Sequence, residues 1–126
     1  MQAEHLELVR IAQEFSVCKV EDYSQVDLTR EYCFIGRTDE ERSLVCLTAD
    51  KPGNVIACED GWKAFRINGT LDFTLTGILS RLAGLLADSG IGIFAISTYN
   101  TDYILVKRSN YEKALATLSD AGYDIL

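Results

Sequence analysis

Residues 72–106, DFTLTGILSRLAGLLADSGIGIFAISTYNTDYILV, decide the fold of this chain. Apolar residues recur at helical spacing from position 75 to position 86, and Gly90 is placed to end that helix. Residues 91–96 are almost continuously apolar and rich in β-branched side chains, which is typical of a central strand. A short polar turn then leads into residues 102–107, where a second strand is predicted.

The sequence on either side of this stretch completes a longer pattern. Residues 63–68 alternate between apolar and polar side chains and predict a strand before the helix. Ser109, followed three residues later by Glu112, is the pattern of a capping box that opens a second helix, and Gly122 is placed to end it. A last strand is predicted at residues 123–126. The order βαββαβ predicts an α+β, ferredoxin-like sandwich whose crossover helices allow parallel strands to pair.

The N-terminal half of the chain is predicted to be mostly β. Five short runs predict strands there, at residues 7–12, 15–20, 32–36, 43–47 and 55–58. The first two runs are equally compatible with one bent strand, the next two with a hairpin, and no strong helix pattern lies between Glu21 and Glu31. We therefore predict two parts that share a sheet or core, residues 1–61 and residues 62–126, with a soft boundary near Gly61.

The charge of the chain argues against several classes of partner. The 126 residues carry a net charge of −7, and residues 1–61 hold 13 acidic side chains but only 6 basic ones. A nucleic-acid-binding protein needs a basic surface to neutralise phosphates, and an anionic membrane surface would repel this chain. No apolar run approaches the length that spans a membrane, and Met1 leads directly into a charged segment. We expect a cytoplasmic protein that binds neither nucleic acid nor membrane.

The reactive side chains favour neither a metal site nor an enzyme. No CxxC pair is present, and His5 is the only histidine, so a zinc site would need four scattered thiolates. Reduced, mostly buried thiols are expected at Cys18, Cys33, Cys46 and Cys58. Lys19 beside Cys18 is the only basic neighbour of a cysteine, and strand alternation places the two on opposite faces. With no glycine-rich phosphate loop either, we expect a non-catalytic protein without cofactor or metal.

Two loops carry the residue types of a small-molecule site. Gly77 lies in the first turn of the predicted helix, where exposed N–H groups and the helix dipole favour a carboxylate. The alternative is that Gly77 only permits close packing against a strand. The polar turn that precedes Asp102 is the second loop, and its carboxylate suits an ammonium or another cation. The alternative there is an ordinary hairpin, in which Asn100 and Asp102 make turn hydrogen bonds.

The stretch quoted above resembles the core of an ACT domain, a small regulatory module of amino-acid metabolism. The segments ERSLVCL and GWKAFRINGTLDF resemble the same family. The likeness is greatest to short proteins with paired ACT domains, which are related to the ACT domains of aspartate kinases and of cytosolic arginine sensors. The resemblance implies a βαββαβ ACT domain at residues 62–126, packed with a degenerate ACT-like half at residues 1–61.

The resemblance also implies a function and a set of contacts. It implies a non-catalytic, allosteric homodimer that binds a free amino acid between two ACT units and acts on a regulated enzyme or signalling protein. In the arginine sensors, an acidic residue at the position of Asp102 meets the cationic group of the ligand. The alternative is a dimerisation or scaffold module without a ligand. The implied ligand contacts are Asp72, Thr76, Gly77, Ile78, Leu79, Thr98, Tyr99, Asn100, Thr101 and Asp102.

Overall fold

The computed structural model describes residues 6–69 and 77–126. The strands are β1 (Glu7–Val20), β2 (Phe34–Arg37), β3 (Arg42–Leu47), β4 (Val55–Ile67), β5 (Phe94–Ser97), β6 (Asp102–Lys107) and β7 (Asp124–Ile125). The helices are α1 (Ile78–Asp88) and α2 (Tyr111–Asp120), and single 3-10 turns lie at Thr48–Asp50 and Arg108–Asn110. Among the described residues, neither α-helix is long and apolar enough to cross a membrane.

The chain divides into two compact units. The N-terminal unit is Gln13–Trp62, and the C-terminal unit is Lys63–Leu126 together with the residues up to Ala12. Strands β1 and β4 therefore contribute residues to both units. The soft boundary expected near Gly61 falls inside β4, which is one strand rather than the two that the sequence predicts. Gly61 has a φ of 83°, a conformation that glycine supplies within a strand without ending it.

The C-terminal unit confirms the predicted mixture of a sheet with two helices. Along the chain it runs β4, α1, β5, β6, α2 and β7, and its strands lie in the order β7-β1-β4-β6-β5. Strand β5 pairs antiparallel with β6. The predicted parallel pairing of strands joined by a helix is wrong here. Strand β7 is parallel instead to β1, with Glu7 opposite Asp124, because β1 occupies the place next to β7.

The two helices cover the core of the C-terminal unit with their apolar faces. Leu82 and Leu86 of α1 are completely buried. The α2 face is formed by Tyr111, Ala114, Leu115 and Leu118, which are all buried. The predicted capping box is wrong, because Ser109 lies in a 3-10 turn and α2 begins after Asn110 without a side-chain cap. Gly90 ends α1 with a φ of 75°.

The N-terminal unit is built from four strand segments in the order β2-β3-β1-β4. Both β2 and β1 pair antiparallel with β3, which confirms the predicted hairpin, and β1 is one strand of 14 residues. Residues 21–33 contain no helix, also as predicted. Asp22 and Asp27 each accept hydrogen bonds from a backbone N–H and a hydroxyl two residues later. Such local side-chain bonds compete with helix formation, which explains the irregular segment.

Candidate functional site

The start of α1 is shaped by Gly77. This residue is the N-cap, with φ 81° and ψ −1°, and no side chain of the described residues caps the helix. An added Cβ at Gly77 would meet no described atom within 4 Å. No described residue packs closely against this position, and its left-handed backbone favours glycine. No acidic residue lies in the first turn of α1. The N–H groups of this turn and the helix dipole therefore favour the binding of an anion there.

Of the four other predicted ligand contacts around the start of α1, two lie among the described residues and two do not. Ile78 and Leu79 pack their side chains against the core of the C-terminal unit. Both side chains are only partly buried, and the polar groups that these residues offer a ligand are their backbone N–H groups. Asp72 and Thr76 lie outside the described residues, so both stay predictions.

The β5–β6 hairpin is held by its own polar side chains. The Thr98 N–H donates to the Thr101 carbonyl at 2.9 Å, and the Thr98 hydroxyl donates to the same oxygen at 3.0 Å. The Ser97 hydroxyl donates to Asp102 Oδ1 at 2.6 Å. Asp102 therefore has the structural role that the hairpin alternative predicts. Tyr99 lies at the tip with 80% of its surface exposed.

Thr101 joins the hairpin to strand β4. Its hydroxyl donates to the Ile67 carbonyl at 2.7 Å, and the residue is only 6% exposed. Ile67 is the last residue of β4, and the chain then continues towards Gly77 and α1. The hairpin is thus fixed at the end of the strand from which the chain leaves for the helix. The sequence marks Thr101 only as a polar turn residue and does not reveal this long-range bond.

A second polar group, the Asp60 cluster, lies within the N-terminal unit and consists of Ser16, Thr48, Lys51, Cys58 and Asp60. The buried Ser16 hydroxyl donates to Asp60 Oδ1 at 2.5 Å and lies 2.9 Å from Thr48 Oγ1. Lys51 Nζ lies 3.0 Å from Asp60 Oδ1. The hydrogen bonds from Ser16, Lys51 and Cys58 lower the pKa of Asp60 to about 2.

The Asp60 cluster corrects one sequence-based inference about the cysteines. Lys19 is not the only basic residue that matters, because Lys51 Nζ lies 3.7 Å from Cys58 Sγ. Seven positions separate these two residues in sequence, so strand alternation alone does not reveal their contact. Within residues 6–69 and 77–126, no group of three or more His, Cys, Asp and Glu side chains is arranged to hold a metal ion.

The N-terminal unit also contains a polar cleft of about 350 Å³, lined by Gln13, Thr29, Arg30, Glu31, Tyr32, Leu47 and Asp50. Arg30 Nη2 lies 3.0 Å from Asp50 Oδ1. Asp50 Oδ2 is buried and has no hydrogen-bond partner among the described residues. Tyr32 has a φ of 59°, which is uncommon for a bulky residue. The cleft is a second location where a small polar ligand would fit.

Comparisons with known proteins agree on the fold. A family model described as an ACT domain matches residues 57–120. A protein of Agrobacterium tumefaciens with a crystal structure is 30% identical, with a TM-score of 0.86 over 98% of this chain and 94% of that one. A Vibrio cholerae protein of unknown function, described as a possible transport protein, is 21% identical, with a TM-score of 0.70 over 91% and 88%.

A third structure, the regulatory subunit of aspartate kinase from Thermus thermophilus in its ligand-free form, is 9% identical. Its TM-score is 0.63, over 95% of this chain and 99% of that one. At this identity, as for the Vibrio cholerae protein, the likeness concerns the fold alone. No curated protein matches the sequence.

Proposed function

Because the chain belongs to the ACT-domain family, we propose that it is a regulatory module that binds a free amino acid. The proposed site lies in the C-terminal unit, between the start of α1 and the β5–β6 hairpin. The observation that carries this proposal is the bond from Thr101 to the Ile67 carbonyl. It supports a shared location for the two loops, since α1 follows in sequence from the strand end that this bond holds.

The proposed ligand contacts follow from the chemistry of the two loops. The N–H groups after Gly77 would receive the carboxylate of the amino acid, with support from the helix dipole. Asp102 would receive the ammonium group or a cationic side chain. A carboxylate offers about four acceptor positions on its two oxygens, so the bond from Ser97 still leaves Asp102 capacity for a ligand.

We propose further that the ligand regulates assembly. An ACT unit from a second copy of the chain would close the site, and the exposed Tyr99 at the hairpin tip has the amphipathic character suited to such an interface. A ligand bound with micromolar affinity supplies about 8 kcal/mol, which is ample to bias an association that it bridges. The assembled module would then act on a separate enzyme or signalling protein.

The N-terminal unit fits a degenerate ACT domain in this proposal. Its strand order β2-β3-β1-β4 and its antiparallel pairs are those of a ferredoxin-like sheet. Residues 21–33 and the 3-10 turn at Thr48–Asp50 stand where the two helices of such a domain would be. Two ACT units in one chain would match the paired arrangement that the sequence resembles.

One observation favours the alternative of a dimerisation module without a ligand. Ser97 already occupies one oxygen of Asp102, so the carboxylate has a purely structural explanation. The two functions differ in their response to amino acids, because only a sensor is stabilised by one of them.

A thermal-shift screen of the full chain against each free amino acid at millimolar concentration tests the proposal. One amino acid or one class should raise the melting temperature, and calorimetry should give its affinity. Asp102→Asn should abolish the response while the Asn oxygen still accepts the bond from Ser97. Asp120→Asn, at the end of α2, is the matched control and should respond like the wild type. If no amino acid raises the melting temperature, the result would refute the amino-acid-binding function and favour the dimerisation or scaffold module without a ligand.

The same screen separates the two candidate locations. Gln13→Trp places a bulky side chain in the wall of the polar cleft of the N-terminal unit. A ligand bound beside Asp102 should tolerate this change, and the response to it should be unaltered. Loss of the response in Gln13→Trp, together with its retention in Asp102→Asn, would move the site to the cleft and refute the proposed location.

A further inference from the structure

Two cysteines of the N-terminal unit lie side by side on neighbouring strands. Cys18 is on β1, Cys58 is on β4, and both are free thiols. Cys18 Sγ donates a hydrogen bond to Cys58 Sγ over 3.6 Å. A disulfide needs a sulfur–sulfur distance of about 2.05 Å, so an approach of about 1.5 Å would connect the two strands.

The two thiols have unlike environments. Cys58 is exposed, accepts a hydrogen bond from Lys51 Nζ at 3.7 Å and donates one to Asp60 Oδ1 at 3.2 Å. Cys18 is only 4% exposed, and its burial raises the pKa of its thiol to about 12. Dissolved reagents therefore meet Cys58 and not Cys18. The Lys51 ammonium and the Cys18 S–H both donate hydrogen bonds to the Cys58 sulfur, so the exposed sulfur lies beside a cation and in contact with the second thiol.

We propose that Cys58 is a site of oxidative modification by peroxides and that Cys18 resolves the product into a disulfide. This inference goes beyond amino-acid binding, and it concerns the other unit of the chain. A second thiol in contact with an exposed one favours reversible oxidation. The second thiol converts the sulfenic acid to a disulfide before the acid is oxidised further.

The chemistry proceeds in two balanced steps. The Cys58 sulfur attacks one oxygen of hydrogen peroxide, the O–O bond breaks, and the hydroxide that leaves takes up the proton of the Cys58 thiol to form water. Cys58 is now a sulfenic acid. The Cys18 sulfur then attacks the Cys58 sulfur, the S–O bond breaks, and the departing hydroxide leaves as water with the Cys18 proton. Two electrons pass from the two thiols to peroxide, and a dithiol reductant reverses the cross-link.

Disulfide formation would change the Asp60 cluster as well. Asp60 would lose the S–H donor of Cys58, and the Cys58 sulfur that accepts from Lys51 would become part of the disulfide. The carboxylate would keep its bonds from Ser16 and Lys51. Oxidation would thus link β1 to β4 covalently. The Asp60 carboxylate beside the new bond would lose only one of its three hydrogen-bond donors.

Treatment of the reduced full chain with hydrogen peroxide tests the proposal. The intact mass should fall by about 2 Da through loss of two hydrogen atoms, and peptide mapping should identify a Cys18–Cys58 link that a dithiol removes. Cys58 should also react with a thiol reagent on the order of tenfold faster than the three other cysteines, since it is the exposed one. This second measurement needs no variant.

Variants assign the two roles. Cys58→Ala should prevent the cross-link, and Cys18→Ala should leave a sulfenic acid on Cys58 that dimedone captures. Cys46→Ala is the matched control, because Cys46 belongs to the same buried cluster as Cys18 and should not be required. A link that forms without Cys58, that needs Cys46, or that joins only separate chains would overturn the proposal, as would a Cys58 that peroxide leaves unmodified.

Discussion

Two glycines of one helix should respond in opposite directions to the same substitution. Gly77 is the N-cap of α1 with a φ of 81°, whereas Gly84 is an exposed residue within the helix. An added Cβ meets no described atom within 4 Å at either position. Packing against the described residues therefore does not separate Gly77→Ala from Gly84→Ala, whereas backbone conformation does.

The magnitudes follow from that difference. Gly84→Ala should stabilise the protein by about 1 kcal/mol, because alanine favours a helix interior over glycine by that amount. Gly77→Ala should cost about 1 kcal/mol, since a left-handed backbone costs about 1–2 kcal/mol at a residue with a Cβ, partly offset by reduced freedom of the unfolded chain. The variants should differ by about 2 kcal/mol, or about 8 °C in melting temperature for a chain of this size.

Urea denaturation followed by circular dichroism measures both free energies of unfolding. Gly77→Asn is an internal check, because asparagine adopts the left-handed region more readily than alanine, and its stability should lie between those of the wild type and Gly77→Ala. Equal stabilisation by alanine at both positions would refute the left-handed N-cap, and with it the account of how α1 begins.

Three other predictions concern single interactions. Thr101→Val removes the donor to the buried Ile67 carbonyl and should destabilise the protein by about 1–2 kcal/mol in urea denaturation. Asp60 has a pKa of about 2 in the folded protein, below its unfolded value. Its stabilising effect should therefore be complete above about pH 5 and disappear as pH falls towards 2, so that wild-type and Asp60→Asn melting temperatures converge in acid. The Cys18–Cys58 link spans 40 residues and should raise the unfolding free energy by up to about 4 kcal/mol.

The first prediction has a matched control variant, and each of the three has an outcome that would contradict it. Thr117→Val removes a comparable bond, from Thr117 Oγ1 to the Lys113 carbonyl, at an exposed position, and should change stability by less than about 0.5 kcal/mol. An equal effect of both threonine variants would contradict the importance of burial. An Asp60→Asn difference that is independent of pH would contradict the low pKa. An oxidised chain that unfolds at lower urea concentration would indicate strain between β1 and β4.

Much of the C-terminal unit follows from local patterns. The strand predicted at residues 102–107 has the observed bounds of β6, and the apolar spacing of residues 111–118 identifies the buried face of α2. These features depend on neighbours within one or two turns, where periodicity is informative. The capping box failed because Ser109 and Glu112 match a local pattern while the chain enters α2 through a 3-10 turn.

Most features that the sequence does not predict depend on distant partners. The place of β1 between β7 and β4 requires residues more than a hundred positions apart to pair. The Asp60 cluster draws Ser16 from β1, Lys51 from a loop and Cys58 from β4. The bond from Thr101 to Ile67 crosses 34 positions. Local patterns in the sequence identify both loops of the candidate site. The bond that holds the β5–β6 hairpin to β4 is visible only in the structure.

The insertion of β1 beside β7 has a consequence for any attempt to isolate the ACT core. The family model covers residues 57–120, a fragment that omits both the first and the last strand of the sheet. Such a fragment would lack the completely buried Leu8 and would leave the outer edge of β4 open to solvent. Unpaired strand edges recruit other chains, so the fragment should aggregate. This core is complete only when residues 7–8 and residues 124–125 are both present to pair.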